Sequence, residues 1–513
     1  MSSTSWEKIL RNTLSHFAST AVSIVVGFAI VPFTLRHIGV VGFGLWALVT
    51  GLVGSMGLLD AGLAPTLTKQ SAELLAKGDE KGLNETASQI FTLYLLVGVG
   101  TCLAMWTLSF FVSRVFTVSP EDLSLFRTML FIVGIQLALS FPLSTWTGIM
   151  SGLQDFHVIN AIGIAGNIAK AILIVVLLKS GHGLISLLLA GLGVAMAGWI
   201  ASILWLQHRL PNLRIRASLK NLRDIKNIVR FSGSMFIWGI AGKILLESDR
   251  IIIGIFLPVA SIGIYEIGLR INNYSRSVLY AVFTVLPAAS DLHARDEKEQ
   301  LQKLYLTGTK YLLVPYTCVV AALLIFGKEF VYLWVGTGYE KAVMVMYILL
   351  LGSVYQSQNL VAHVLLPGMG KIRVFTIVMA AYPIINLILS IVFVIEWGLL
   401  GVALATSITY FIVETYFISF IVRVFEVRLS EVLWKCHFAA IISVVPAIVV
   451  SYYLKNVIDA YSWLGLTTGV GMFLIFSGIS FLIFGISRHE RQALRRKLSV
   501  LFLRPRVSLD EAS

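Results

Sequence analysis

Residues 94–102 read YLLVGVGTC and residues 311–318 read YLLVPYTC. Outward from this pair, MSGLQDFHV at 150–158 is matched by LPGMGKIRV at 366–374, and Gly183-Leu184 by Gly398-Leu399. Gly44 before Trp46 is matched by Gly263 before Tyr265. The offset stays between 215 and 219 residues, so two homologous halves lie in tandem. Nearly everything inside them is apolar. A duplicated chain of this kind reads as a transporter whose site lies near the interface of the repeats.

The chain is 57% hydrophobic and 13% charged over 513 residues, where soluble domains carry about a quarter charged residues. Apolar runs long enough to cross a bilayer number about fourteen. They fall near 12–35, 43–66, 88–112, 126–150, 158–178, 183–206, 233–257, 262–289, 307–326, 343–366, 374–395, 398–422, 436–454 and 463–486. The fold class is therefore an all-α integral membrane protein. Residues 1–206 and 232–425 each hold six spans, joined by a linker at 207–231. Spans 13 and 14, within 426–487, and a basic tail at 488–513 have no counterpart in the repeat. An even number of spans gives both halves one orientation, related by an axis along the membrane normal. The first span is too long for a signal-peptide core and is expected to stay as an uncleaved anchor.

Charge sets the expected topology. With the N-terminus inside, 27 of the 40 Lys and Arg fall in cytoplasmic segments and 6 in external loops. That bias places both termini in the cytoplasm. The net charge of +13 is thus orientation, and no basic-aromatic pattern for nucleic acid is present. In the linker, Leu219, Leu222, Ile225, Ile228 and Val229 recur at helical spacing, with Lys220, Arg223, Lys226 and Arg230 on the other face. This predicts an amphipathic helix on the cytoplasmic leaflet, N-capped by Ser218. The alternative is an ordinary solvated connector.

A charge in the hydrocarbon core costs about 2.5–3.5 kcal/mol even on lenient scales, so each needs a reason. In span 7, Lys243, Glu247, Arg250 and Gly254 share one face. In span 8, Glu266, Arg270, Asn273 and Ser277 repeat the spacing. With residue 260 taken as the middle of the loop, Arg250 and Arg270 are ten residues from it on either side, near mid-membrane. Two guanidiniums there suit a diphosphate, each by a bidentate fork; the competing reading is a structural ion-pair lock. Asp249 lies off the stripe, where helix packing is at least as good an account. Gln356, Asn359 and His363 share a face of span 10, suited to a hydroxyl-rich ligand or to helix–helix hydrogen bonds. Glu414 in span 12 and Asp60 in GLLDAGL are the coupling candidates, with a loop contact the alternative for Asp60. Lys170 reads as a snorkelling or helix-contact residue. Cys102, Cys318 and Cys436 lie in apolar spans and read as core packing. No HExxH, P-loop or Cys/His cluster occurs, so no enzyme chemistry, metal or cofactor is expected.

Several stretches carry a resemblance. LRHIGVVGFGLWAL (35–48), LLDAGLAPTLTKQSAELLAKGD (58–79), SDRIIIGIFLPVASIGIYEIG (248–268) and FGKEFVYLWVGTGYEKA (326–342) resemble, in order, segments of the polysaccharide branch of the multidrug/oligosaccharidyl-lipid/polysaccharide exporter superfamily. These are lipid-linked oligosaccharide flippases. The resemblance implies two six-helix bundles working by alternating access. It implies an oligosaccharide on a polyprenyl diphosphate as cargo, carried to the outer leaflet for O-antigen, capsule or exopolysaccharide. In similar proteins of fourteen spans, the last two helices stand beside a lipid groove. Expected partners are that cargo, membrane lipids, and a polymerase or glycosyltransferases; the expected location is the bacterial inner membrane. Helix 1 lacks an intramembrane acid and the first half is nearly bare of arginine, unlike the drug-exporter and peptidoglycan-precursor branches respectively. A cation-coupled drug or metabolite antiporter, and a non-transporting scaffold of an assembly complex, remain the alternatives.

Overall fold

The computed structural model describes residues 3–60, 62–217, 247–279, 292, 295, 297–455, 458–486 and 490–492. The linker's amphipathic segment, span 7 up to residue 246 with Lys243, span 8 from residue 280, and the basic tail apart from residues 490–492 lie outside the described residues.

Helix α1 runs Ser3–Met56, 54 residues in all. At 1.5 Å per residue that is about 80 Å, far more than the roughly 30 Å of a bilayer core. The helix is two spans joined at Gly39, where φ is 69° and ψ 176°. A side chain at that φ would be strained, so glycine makes the one-residue turn. α2 (Leu63–Ala76), α3 (Glu80–Val115), α4 (Pro120–Gly152), α5 (Phe156–Lys179) and α6 (Leu184–Arg209) complete the first series. A helix over 247–256, here α7, and α8 (Val259–Arg276) follow, with Leu257 and Pro258 between them. Next come α9 (Lys298–Val335), α10 (Glu340–Ser357) and α11 (Leu360–Gly368). α12 (Ile372–Val424) is again double-length, broken at Gly398 with φ 58°. α13 (Leu429–Leu454) and α14 (Trp463–Gly485) close the series.

Among the described residues nine helices are long and apolar enough to cross a membrane. Two of these, α1 and α12, are each two spans. With α7, α8 and the interrupted α10–α11, the count agrees with the fourteen spans read from hydropathy. Large apolar side chains stand exposed, among them Phe110, Ile172, Leu204, Ile395 and Leu464. In an integral membrane protein the acyl chains cover them.

The helices pack as two units. The first is Met1–Arg270 with Thr376–Thr409, and the second is Ile271–Phe375 with Tyr410–Ser513. In the first unit, α1 meets the α7–α8 turn at two glycines. A Cβ on Gly44 would collide with the Val259 carbonyl oxygen, and one on Gly263 would lie 2.5 Å from that of Val40. These are the same two glycines that the sequence repeat pairs. Only a residue without a side chain permits this approach at either position. The described start of the linker is an extended strap on α3. The Arg214 and Arg216 amides donate to Asn84 Oδ1 (2.8 Å) and Ser88 Oγ (3.1 Å).

Candidate functional site

The charged stripes of α7 and α8 meet. Arg250 Nε donates to Glu266 Oε2 at 2.8 Å, and its Nη1 to Glu247 Oε2. Arg270 Nε donates to Glu266 Oε1 at 2.8 Å. Glu266 is thus held by both arginines, with 4% of its side chain exposed. Arg250 is 13% exposed and bound by two carboxylates, whereas Arg270 is 23% exposed and bound by one. No described residue accepts from the two Nη groups of Arg270, which lies over Phe43 and Trp46, 5.4 and 5.6 Å from their ring centroids. Lys170 on α5 is within electrostatic reach of Arg270 and lies against Gly191 of α6.

The turn shifts the expected register. Pro258 helps end α7 so abruptly that the loop is only Leu257-Pro258. Arg250 is therefore level with Glu266, and Arg270 stands about one helical turn further along. Equal depth for the two arginines rested on a loop centred at residue 260, and the turn is centred earlier.

Glycines on α1 make room for the stripe. A Cβ on Gly51 would meet Arg250 Cδ at 3.0 Å, and one on Gly54 would meet Glu247 Oε1 at 2.6 Å. Behind the stripe, Asp249 is buried; it accepts from Tyr265 OH at 2.5 Å and Thr406 Oγ1 at 3.0 Å, tying α7 to α8 and α12.

In the second unit the predicted polar residues assemble differently. Asn359 Nδ2 donates to Glu414 Oε2 at 2.7 Å and to the Glu414 carbonyl at 3.1 Å. His363 Nε2 lies 3.1 Å from Glu414 Oε1, and its ring stacks on Phe417. Glu414 and Asn359 are fully buried; the Asn359 amide nitrogen is taken up by Glu414, while Asn359 Oδ1 and His363 Nδ1 have no hydrogen-bond partner among the described residues. Gln356 is half-buried and Asn273 exposed. Asp60, in the 3-10 turn Gly57–Asp60 that follows α1, accepts from Tyr94 OH of α3. Among the described residues no group of three or more His, Cys, Asp or Glu is placed to hold a metal ion.

Three features were not singled out from the sequence. Arg276, six residues past Arg270, donates to Ser353 Oγ and Tyr410 OH at 3.4 Å each; an arginine in an apolar span was the available signal. The second is a polar ladder between α1 and α5. Asn160 Nδ2 donates to Ser15 Oγ and Asn167 Nδ2 to Ser23 Oγ, both at 2.9 Å, with Ser19 opposite Gly163. Ser23 is exposed and Asn167 half-buried. These bonds between hydroxyls and amides tie α1 to α5 along one face. The serines recur every four residues, a period that was legible. The third is an apolar groove of about 610 Å³ in the second unit, formed by α9, α10, α12 and α13. Its few polar groups include Gln358 and His437, joined at 2.8 Å where α10 breaks from α11.

A profile of the family described as "Polysaccharide biosynthesis protein" matches residues 9–293, more than half of the 513 residues. The "Putative O-antigen transporter" of Shigella flexneri is 22% identical over 414 residues, covering 78% of this chain and 94% of that protein. The "Probable low-salt glycan biosynthesis flippase Agl15" of Haloferax volcanii is 24% identical over 219 residues, 42% of this chain and 45% of that protein. The chain thus spans about half the length of the Haloferax relative. The solved structure "Lipid II flippase MurJ, inward closed conformation" matches with a TM-score of 0.72 at 16% identity, covering 91% of this chain and 98% of that one. An inward-facing multidrug resistance MATE family transporter of the MOP superfamily matches at 0.64 and 16% identity, covering 80% and 96%. At such identities the likeness is one of fold. The profile match shows that the chain belongs to the polysaccharide biosynthesis protein family.

Proposed function

We propose that the protein is a flippase that carries an oligosaccharide on a polyprenyl diphosphate from the cytoplasmic to the outer leaflet by alternating access. The observation that carries this reading is Arg270, a guanidinium at membrane depth with two Nη groups that no described residue accepts from. The two arginines and the two glutamates of the cluster balance in charge, and Glu266 is shared between Arg250 and Arg270. A diphosphate oxygen fits the open side of such a fork, and Lys170 adds positive charge nearby. Arg250, Glu247 and Glu266 form the base that holds Arg270 in place. Lys243 extends the same stripe in sequence.

The remaining cargo chemistry divides between two further surfaces. The Ser15–Ser19–Ser23 face with Asn160 and Asn167 offers hydroxyls and amides to sugar. Asn273 and Gln356 are the other polar contacts proposed for the glycan. The apolar groove beside α13 suits the polyprenyl chain. Glu414 and Asp60 are the candidates for coupling to an ion gradient. Both termini are cytoplasmic in the inner membrane, and the two six-span halves rock about the cargo.

Replacing Arg270 separates charge from fork geometry. Lys keeps the charge and loses the fork, while Gln keeps polarity and loses the charge. Arg270→Lys is expected to retain partial export of surface polysaccharide and Arg270→Gln none, at matched membrane levels. Equal export by both variants would remove the diphosphate from this site.

A further inference from the structure

A second cavity, of about 400 Å³, lies in the second unit where α13 begins and α14 ends. Its floor is Lys310 of α9, 7% exposed. The ammonium carries three donors. Among the described residues its one acceptor is Glu490, at 2.7 Å. The rings of Tyr311 and Phe481 lie 5.7 and 5.9 Å from Nζ.

Both flanking helices are distorted at this point. Leu433–Phe438 and Phe481–Gly485 are π-helical turns, and both contribute to the cavity wall. Such turns widen a helix, leave carbonyls without their usual partners and concentrate at functional sites. Arg491 fills that role on α14, donating to the Leu482 and Ile483 carbonyls at 3.1 and 2.8 Å. On α13 the widened turn brings Lys435 to the wall, paired with Glu431. Among the described residues, Lys310, Lys435 and Arg491 against Glu431 and Glu490 leave one net positive charge.

The rim is apolar and outward-facing. Trp434 and Phe484 are 68% and 62% exposed. Trp434 stacks on Phe438 at 4.3 Å. Exposed aromatics at a helix end mark the membrane–water interface. A basic pocket between helices at that level, beside an aromatic surface, matches a lipid headgroup above its acyl chains.

We propose that this cavity is a binding site for the phosphodiester headgroup of an anionic phospholipid, held by Lys310 and Lys435, with its chains along Trp434 and Phe484. One phosphodiester neutralises the net charge of the described residues. A diphosphate would add a second negative charge beside Glu490, so the cargo headgroup is the poorer fit. On entry the phosphate takes the Lys310 donors that Glu490 does not use and competes with Glu490 for the one it does. The site is separate from Arg270 and from export, so it stands or falls independently of the proposed flippase function.

The two partners of the ion pair therefore act with opposite sign. The test is native mass spectrometry and thermal unfolding of the full-length protein in detergent, titrated with phosphatidylglycerol and, separately, with inorganic phosphate. Lys310→Met is expected to weaken retention of phosphatidylglycerol by about fivefold, the worth of one interfacial lysine. Lys310→Arg is expected to retain it, and Glu490→Gln to bind it more tightly than the parent. If Lys310→Met does not fold, Glu490→Gln alone decides, and unchanged lipid binding there overturns the proposal. Equal retention by the parent and Lys310→Met also overturns it. Inorganic phosphate stabilising the protein as well as phosphatidylglycerol does would assign the cavity to a free anion and reject the lipid.

Discussion

Two clusters of charged and polar side chains lie at membrane depth, one in each unit, and they differ in what they leave open. In the first unit, Glu247, Arg250, Glu266 and Arg270 form a chain of ion pairs that ends in a guanidinium 23% exposed. In the second, Asn359 and His363 close on Glu414, which is fully buried. Buried polar groups need partners in both places. Among the described residues the first cluster leaves open the two Nη groups of a partly exposed guanidinium, and the second leaves open Asn359 Oδ1 and His363 Nδ1, both shut inside the protein. Residue type alone does not separate a ligand site from a helix lock; the separation lies in which hydrogen-bonding valences remain.

That contrast can be broken at its strongest point first. Arg250→Ala would leave Glu247 and Glu266 close together, with Arg270 the one arginine left to Glu266. Removing one partner of a buried ion pair costs about 3–5 kcal/mol. The expected outcome is a collapse of membrane-inserted protein, read by quantitative blotting; normal levels with lost export would make Arg250 a ligand residue.

A smaller loss is expected in the second unit. Asn359→Leu removes the amide that donates to Glu414 and leaves that carboxylate short of one buried partner. The cost of such a vacancy is about 1–3 kcal/mol. A lowered unfolding temperature in detergent with export preserved is the expected pattern. Unchanged stability with lost export would instead place Asn359 among the glycan contacts. The smallest effect on stability is expected at Arg270, whose removal leaves Glu266 still bound to Arg250. With one of the two arginines of Glu266 kept, the loss is expected to cost less than the roughly 3–5 kcal/mol of a buried ion pair broken outright.

Much of the fold is legible in the residues themselves. Hydropathy locates the spans, and the one-residue breaks at Gly39 and Gly398 fall where the apolar runs divide. The repeat pairs Gly44 with Gly263, and these glycines pack at the crossing of α1 with α8. Helical spacing brings Glu247, Arg250, Glu266 and Arg270 together because all four lie on two helices joined by a tight turn. The register is not legible, since it depends on how sharply Pro258 ends α7. Nor is the partner of Asn359, because Glu414 lies 55 residues away and a one-dimensional pattern does not say which helices meet. The serine ladder on α1 escapes a search for polar faces that follows charge and not hydroxyl spacing. The cavity at Lys310 depends on two π-helical turns that composition does not announce.

The central claim is that Arg270 binds cargo rather than neutralising Glu266. The double variant Glu266→Gln with Arg270→Gln tests it most directly, because it removes the carboxylate together with the guanidinium that would neutralise it. Arg250 keeps Glu247 in that background. Surface polysaccharide is measured at matched protein level against the parent and Arg270→Gln. The account predicts that the double variant inserts normally and exports nothing. Export restored to near the parent level would contradict it and make Arg270 a counter-ion.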